Sequence, residues 1–97
     1  MNNYKISRVA EEDIIRIFQY GVKQFGLNQA EKYYNRLFDY FDTIAKNPYA
    51  FEAVDYIKAG YRRSVCDSNS IYYRITAEEV EIMTIIRSQD LGYSLFC

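Results

Sequence analysis

Two helical periods separated by almost nothing dominate this chain. In "AEEDIIRIFQYGVKQFG" (10–26) the apolar residues Ile14, Ile15, Phe18, Val22 and Phe25 recur at helical spacing, which draws one stripe along a 3.6-residue helix. In "LNQAEKYYNRLFDYFDTIAKNP" (27–48) Ala30, Tyr34, Leu37, Phe41 and Ile44 draw another. Tyr33 and Phe38 widen it, and Tyr40 falls toward the outside. Glu11, Glu12 and Asp13 suit the positive start of the first helix, and Lys46 the negative end of the second. Gly26 is a natural C-cap, Asn28 and Glu31 have the spacing of a capping box, and Pro48 is a stop. A break of two or three residues leaves room only for an antiparallel helical hairpin. Such a hairpin has one apolar face and needs a second layer.

The rest of the chain supplies it. In residues 3–8, "NYKISR", Tyr4 and Ile6 share one face and Lys5 and Ser7 the other, a half-buried strand. Three more strands are predicted at 61–67, 70–75 and 80–87, joined by the turn-formers "DSNS" and "TAEE", and short successive turns make an antiparallel meander. Residues 49–60 show no clear period and read as a loop with a short extended piece. The order is β-α-α-β-β-β. It predicts a two-layer α+β fold with the helical hairpin on one face of a mainly antiparallel sheet and the other face partly open. At 97 residues and 49% hydrophobic content the chain is expected to form one domain over 1–97. Residues 91–97 are a candidate flexible tail, although Leu91, Tyr93, Leu95 and Phe96 are apolar enough to pack on the body or to meet a partner.

Composition removes several functions. There is no histidine, so histidine-based acid–base chemistry, Ser-His and Cys-His pairs and zinc-finger patterns are absent. The two cysteines, Cys66 and Cys97, have no metal-ligand spacing, and Cys66 reads as a small strand residue. No apolar run approaches the ~20 residues of a membrane helix, and the first residues lack a signal-peptide centre; a cytoplasmic protein that avoids membranes is expected. The net charge of −1 is not that of a general nucleic-acid coat. Between residues 58 and 74, however, Lys58, Arg62, Arg63 and Arg74 face only Asp67, a local positive patch. Aromatic residues make up 18% of the chain, 11 Tyr and 6 Phe, and tyrosine suits half-exposed positions and interfaces.

The ordered set of segments resembles the RelE/ParE superfamily of bacterial toxins, and within it the ParE branch. "YKISRVAEEDIIRIFQYGVKQFG" is similar to the family's opening strand and acidic-start helix, and "NQAEKYYNRLFDYFDTIAKNP" to its second helix. "AGYRRSVCDSNSIYYRI" is similar to its Arg-rich strand, turn and aromatic-Tyr-Arg strand, and "EVEIMTIIRSQD" to its terminal strand. The resemblance spans roughly residues 3–90, with no single decisive motif. It implies the toxin half of a type II toxin–antitoxin pair that inhibits DNA gyrase and is neutralised by a cognate, ParD-like antitoxin. The RelE branch is a ribosome-dependent mRNA endonuclease on a similar fold, so the site has to decide.

Metal-free RNA cleavage needs a base, cations for the phosphate and an acid. Arg62 and Arg63 can clamp a phosphate, but an arginine pKa above ~12 makes a poor base. No lysine lies between 59 and 97, Ser70 and Ile71 stand where a second clamp is needed, and Asp90 follows Arg87 where the nuclease branch tends to be basic. Tyr93 is the one candidate acid. The balance favours a binding protein over an enzyme, with no catalytic residue, metal ligand or cofactor assigned. The target-binding candidates are Arg62, Arg63, Arg74, Arg87, Tyr61 and Tyr73. The antitoxin-binding candidates are Tyr4, Ile6, Leu91, Tyr93, Leu95 and Phe96. Sequence-specific nucleic-acid binding by the toxin alone is not expected. A RelE-like nuclease and a non-toxic, antitoxin-binding relative stay open as alternatives. Alternation places Arg62 and Arg63 on opposite faces and Tyr72 with Arg74; whichever of Arg62 and Arg63 faces away from a partner is expected to find an acid such as Glu81.

Overall fold

The computed structural model describes residues 3–87. Strand β1 (Tyr4–Ile6) leads into helices α1 (Arg8–Phe25) and α2 (Leu27–Lys46). Strands β2 (Glu52–Ala53), β3 (Tyr61–Cys66), β4 (Asn69–Ile75) and β5 (Val80–Arg87) follow. One sheet runs β1-β5-β4-β3-β2, antiparallel except for the parallel pair β1–β5. The two-layer α+β reading holds. The extended piece foreseen within 49–60 is β2, which pairs Glu52 with Arg63 and Ala53 with Arg62.

The hairpin turns on a single residue. Gly26, at φ 88°, caps α1 through its N–H to the Val22 carbonyl (3.0 Å), and its own carbonyl accepts from Ala30 N. That φ favours glycine and lets the chain reverse at once. The second helix therefore starts at Leu27, and the expected capping box at Asn28 is not used; no side chain caps α2. At the other end α1 begins at Arg8, earlier than the acidic run suggests, because Ser7 is its N-cap, with Oγ accepting from Ala10 N at 3.0 Å. Only Glu11 of the acidic run then lies in the first turn.

Asp13 does something else. Parallel pairing of β1 with β5 stops at Ile6↔Ile82, which leaves the outer edge of β5 beyond that point without a strand partner. The start of α1 takes over that edge. Ser7 N donates to the Ile82 carbonyl (2.9 Å) and Ser7 Oγ to the Met83 carbonyl (2.8 Å). Asp13 Oδ2 accepts from Ile85 N (3.0 Å) and Thr84 Oγ1 (2.7 Å), and Arg16 binds Oδ1. A bulge lies here: Tyr72 faces Thr84 and Tyr73 faces Ile82, so Met83 is the extra residue. A carboxylate this buried is tolerated because its oxygens are filled by donors.

The core lies between the layers. Ile14 of α1 and Leu37, Phe41 and Ile44 of α2 pack on Cys66, Ile71, Tyr73, Val80, Ile82 and Ile85. Tyr4 meets Phe41 edge-on at 5.5 Å between ring centroids. The helical stripes differ from expectation at their margins. Ile15, Phe25 and Tyr34 are exposed, whereas Tyr40 packs against the core. Periodicity finds a stripe but not how far the sheet beneath it extends.

Two predictions follow from this packing. Asp13→Ala strands the Thr84 hydroxyl and the Ile85 amide, and chemical denaturation should show a loss of about 2–4 kcal/mol. Burial pushes the Cys66 thiol from 9.0 up to about 11 and the Tyr73 phenol from 10.0 up to about 12. Both protons are held more tightly in the folded chain, so stability is full below pH ~9 and falls as pH rises from there toward ~12. A melting-temperature series should show that decline, and Cys66→Ala should delay its onset to about pH 10.

Candidate functional site

The sheet register settles which arginine faces where. Arg62 lies opposite Tyr73 and shares the helix-covered face, whereas Arg63 lies opposite Tyr72 on the other face. Tyr61, Val65, Ser70 and Arg74 share the Arg63 face. That face is uneven: Val65 is 54% exposed, but Ser70 and Tyr72 are buried.

Each sheet arginine is held locally. Arg63 donates to Glu52 through Nε (2.8 Å) and NH2, and the carboxylate raises the pKa of its guanidinium further above the ordinary value. Arg74 donates through Nε to Glu81 Oε1 at 2.9 Å, with NH2 at 2.7 Å. Glu81 thus pairs with Arg74, and the expected link to Arg62 or Arg63 does not form. Register explains it, since Glu81 faces Arg74 directly across β4–β5 and β2 brings Glu52 to Arg63. Arg62 donates to the Phe51 carbonyl (2.6 Å) and lies 5.1 Å from the centroid of the Tyr49 ring. Arg87 is at the far end of β5, with its guanidinium 4.6 Å from the centroid of the Tyr20 ring.

The six target-binding candidates therefore do not form one cluster. Tyr61, Arg63 and Arg74 lie together on one face, and Arg62 reaches the same end of the sheet from the other. Arg87 sits at the opposite corner. Tyr73 is a core residue, fully buried, with its hydroxyl donating to the Pro48 carbonyl at 2.6 Å; it has no surface to offer a partner. Among the antitoxin candidates, Tyr4 and Ile6 are half-buried and turn their side chains to the core, so β1 offers its outer backbone edge. Leu91, Tyr93, Leu95 and Phe96 lie outside the described residues.

Sequence reasoning missed the loop around β2. Tyr49, Tyr56 and Ile57 are 70%, 74% and 40% exposed. Tyr49, Asp55, Gly60, Tyr61 and Arg62 converge around a hollow of about 340 Å³. Lys58 Nζ is 5.5 Å from the centroid of the Tyr61 ring. Exposed tyrosines beside positioned arginines make an amphipathic, hydrogen-bonding surface of the kind enriched at interfaces. The available signal was the lack of any period across 49–60 in a stretch holding Tyr49, Tyr56 and Ile57.

A family model described as ParE toxin of type II toxin–antitoxin system, parDE, matches residues 4–92. The chain is 31% identical over 86 residues to toxin ParE1 of Caulobacter vibrioides, covering 89% of this chain and 88% of that protein. It is 28% identical over 89 residues to toxin ParE1 of Mycobacterium tuberculosis, covering 91% of each. A solved structure from the chromosomal ParDE TA system of P. aeruginosa superimposes with a TM-score of 0.78. It covers 90% of this chain and 96% of that chain at 22% identity, a likeness of fold.

Tyr73→Phe should cost about 1–2 kcal/mol in chemical denaturation by leaving the buried Pro48 carbonyl without its donor. Arg74→Ala, which breaks a half-exposed pair, should change stability by less than about 1 kcal/mol in the same measurement.

Proposed function

This chain belongs to the ParE toxin family of type II toxin–antitoxin systems, and from that premise we propose that it inhibits DNA gyrase by binding and is neutralised by a cognate, ParD-like antitoxin. The family implies an antitoxin partner. The observation that carries the binding reading is the state of the sheet arginines. Arg63 and Arg74 are each held by a carboxylate, and Arg62 points to the opposite face. A nuclease of this fold needs cations converging on one phosphate with a base and an acid beside it. Here the cations diverge, and the chain has no histidine to serve as base or acid beside them. Arginines held in place beside exposed tyrosines are instead ready-made contacts for a protein surface.

The target contacts are assigned to Tyr61, Arg62, Arg63 and Arg74, with Tyr49 and Tyr56 beside them. No helix among the described residues is long and apolar enough to cross a membrane, and a cytoplasmic site of action accords with a gyrase target.

Purified protein should block gyrase supercoiling or accumulate cleaved DNA, and co-purified antitoxin should relieve the effect. Tyr61→Ala combined with Arg62→Ala should weaken inhibition on the order of tenfold or more, with the melting temperature reported alongside. Codon-position cuts in ribosome-bound mRNA would sink the proposal in favour of the nuclease. Inactivity in both assays, with tight antitoxin binding, would leave a non-toxic relative.

A further inference from the structure

The face of the sheet turned away from the helices is not open along its whole length. On β4 the residues of that face are Ser70, Tyr72 and Arg74. The Arg74 side chain is 50% exposed, but Tyr72 and Ser70 are each only 2% exposed. Strand side chains stand roughly perpendicular to their sheet, so neighbours in the same sheet flank a tyrosine without sealing its tip. On β3 the Arg63 side chain, opposite Tyr72, is down to 20% exposure. The cover therefore has a position. It lies over Ser70, Tyr72 and Arg63 and spares Val65 and Arg74.

The described elements do not supply it. Both helices pack on the other face, where Ile71 and Tyr73 point. The turn after β2 closes on Val54, which is fully buried, and brings Lys58 to the Tyr61 ring. Tyr61 pairs with Arg74, so that turn sits at the end of β4 that stays half exposed. Burial deepens in the opposite direction, toward Ser70, whose partner on β5 is Ile86. Strand β5 ends one residue later, at Arg87. The cover thus approaches from the point where residues 88–97 begin.

Those ten residues, "SQDLGYSLFC", have a suitable pattern and length. Leu91, Tyr93 and Leu95 alternate with Gly92 and Ser94, the period that puts apolar side chains on one side of an extended segment. Ten extended residues reach about 33 Å. From Ser70 to Arg63 the path is one strand spacing and two residues, on the order of 10 Å. Tyr72 adds a second cue. Its hydroxyl is buried and meets no partner with hydrogen-bond geometry among the described residues. A buried phenol calls for such a partner, and a backbone laid across it carries N–H and C=O groups.

We propose that residues 88–97 fold back across the face of the sheet opposite the helices as a strap, with Leu91 and Leu95 seated against Tyr72. The strap screens Arg63 and leaves Tyr61 and Arg74 open, which narrows the surface a target protein meets. It also engages Leu91, Tyr93 and Leu95 within the chain instead of leaving them for an antitoxin. The family match ends at residue 92, so the outer half of the strap lies beyond the family pattern. A target or a second copy laid on this face would bury Tyr72 as well, but Tyr72 is already buried in a single chain. The strap stands independently of the gyrase reading.

Hydroxyl-radical footprinting of the full chain, read residue by residue by mass spectrometry, tests this. In the parent, Tyr72 should be protected like the core residue Tyr73, while the exposed Tyr49 and Tyr56 react. Leu91→Ser combined with Leu95→Ser should raise the reactivity of Tyr72 on the order of tenfold and leave Tyr73 protected, which separates a released strap from an unfolded chain. Tyr72 reacting in the parent as fast as Tyr56 overturns the proposal, and so does a Tyr72 that stays protected in the double variant. Should Tyr73 react together with Tyr72 in the variant, the parent decides by nuclear magnetic resonance. Nuclear Overhauser contacts from the Leu91 and Leu95 methyls to the Tyr72 ring support the strap, and their absence overturns it. In a mixture of labelled and unlabelled chains these contacts should arise within one chain; contacts only between chains overturn the strap in favour of a second copy.

Discussion

The fold hangs on how one half-paired strand edge is closed. Strand β5 is longer than its parallel neighbour β1, and an unpaired edge beside a core would leave backbone groups without partners. Ser7 and Asp13 replace the missing strand with a cap residue and a buried carboxylate. One set of hydrogen bonds therefore starts α1, fixes its axis on the sheet and accommodates the bulge at Met83. Through Asp13 it also holds Arg16, three residues on and on the same face of the helix. The same carboxylate thus contributes to structure on one oxygen and to the orientation of a surface cation on the other.

Charge in this molecule is organised by neighbours rather than by totals. Glu52 and Glu81 face Arg63 and Arg74 across strand pairs, and Asp67 meets Arg36 across the two layers. Exposed pairs of this kind contribute little to stability. What they do is hold long side chains in one rotamer, which makes a surface directional. Asp67 also takes the left-handed conformation, φ 53°, in the β3–β4 turn, which aspartate tolerates better than most residues. The turn and the ion pair are served by one residue.

Much of the architecture was legible because period is a physical consequence of burial. Two helical stripes and three alternating strands predicted the layers, the hairpin and the meander. Alternation also separated Arg62 from Arg63 and put Tyr72 with Arg74, as the register confirms. It could not say which face the helices would cover, so Tyr73 was nominated as a surface contact when it is core. Nor could it see Asp13, because a carboxylate near a helix start has an ordinary local role, and its true partners are more than seventy residues away. The capping box at Asn28 was locally sound and lost to the one-residue reversal at Gly26. Strand β2 is two residues long, too short to show a period.

The parallel pairing of β1 with β5 has a bearing on synthesis. The helical hairpin is built from contacts close in sequence and can form while the chain is still emerging. Tyr4 and Ile6, by contrast, have their strand partners at Val80 and Ile82, and the contacts that close α1 onto the sheet join residues equally far apart. Long-range pairing of this kind is slow because loop-closure entropy comes before any gain. The first strand must wait on an unfinished sheet until β5 has left the ribosome, so most of the translation of this chain passes with no complete toxin fold in existence. The edge that waits is also the one a second polypeptide could occupy during that interval.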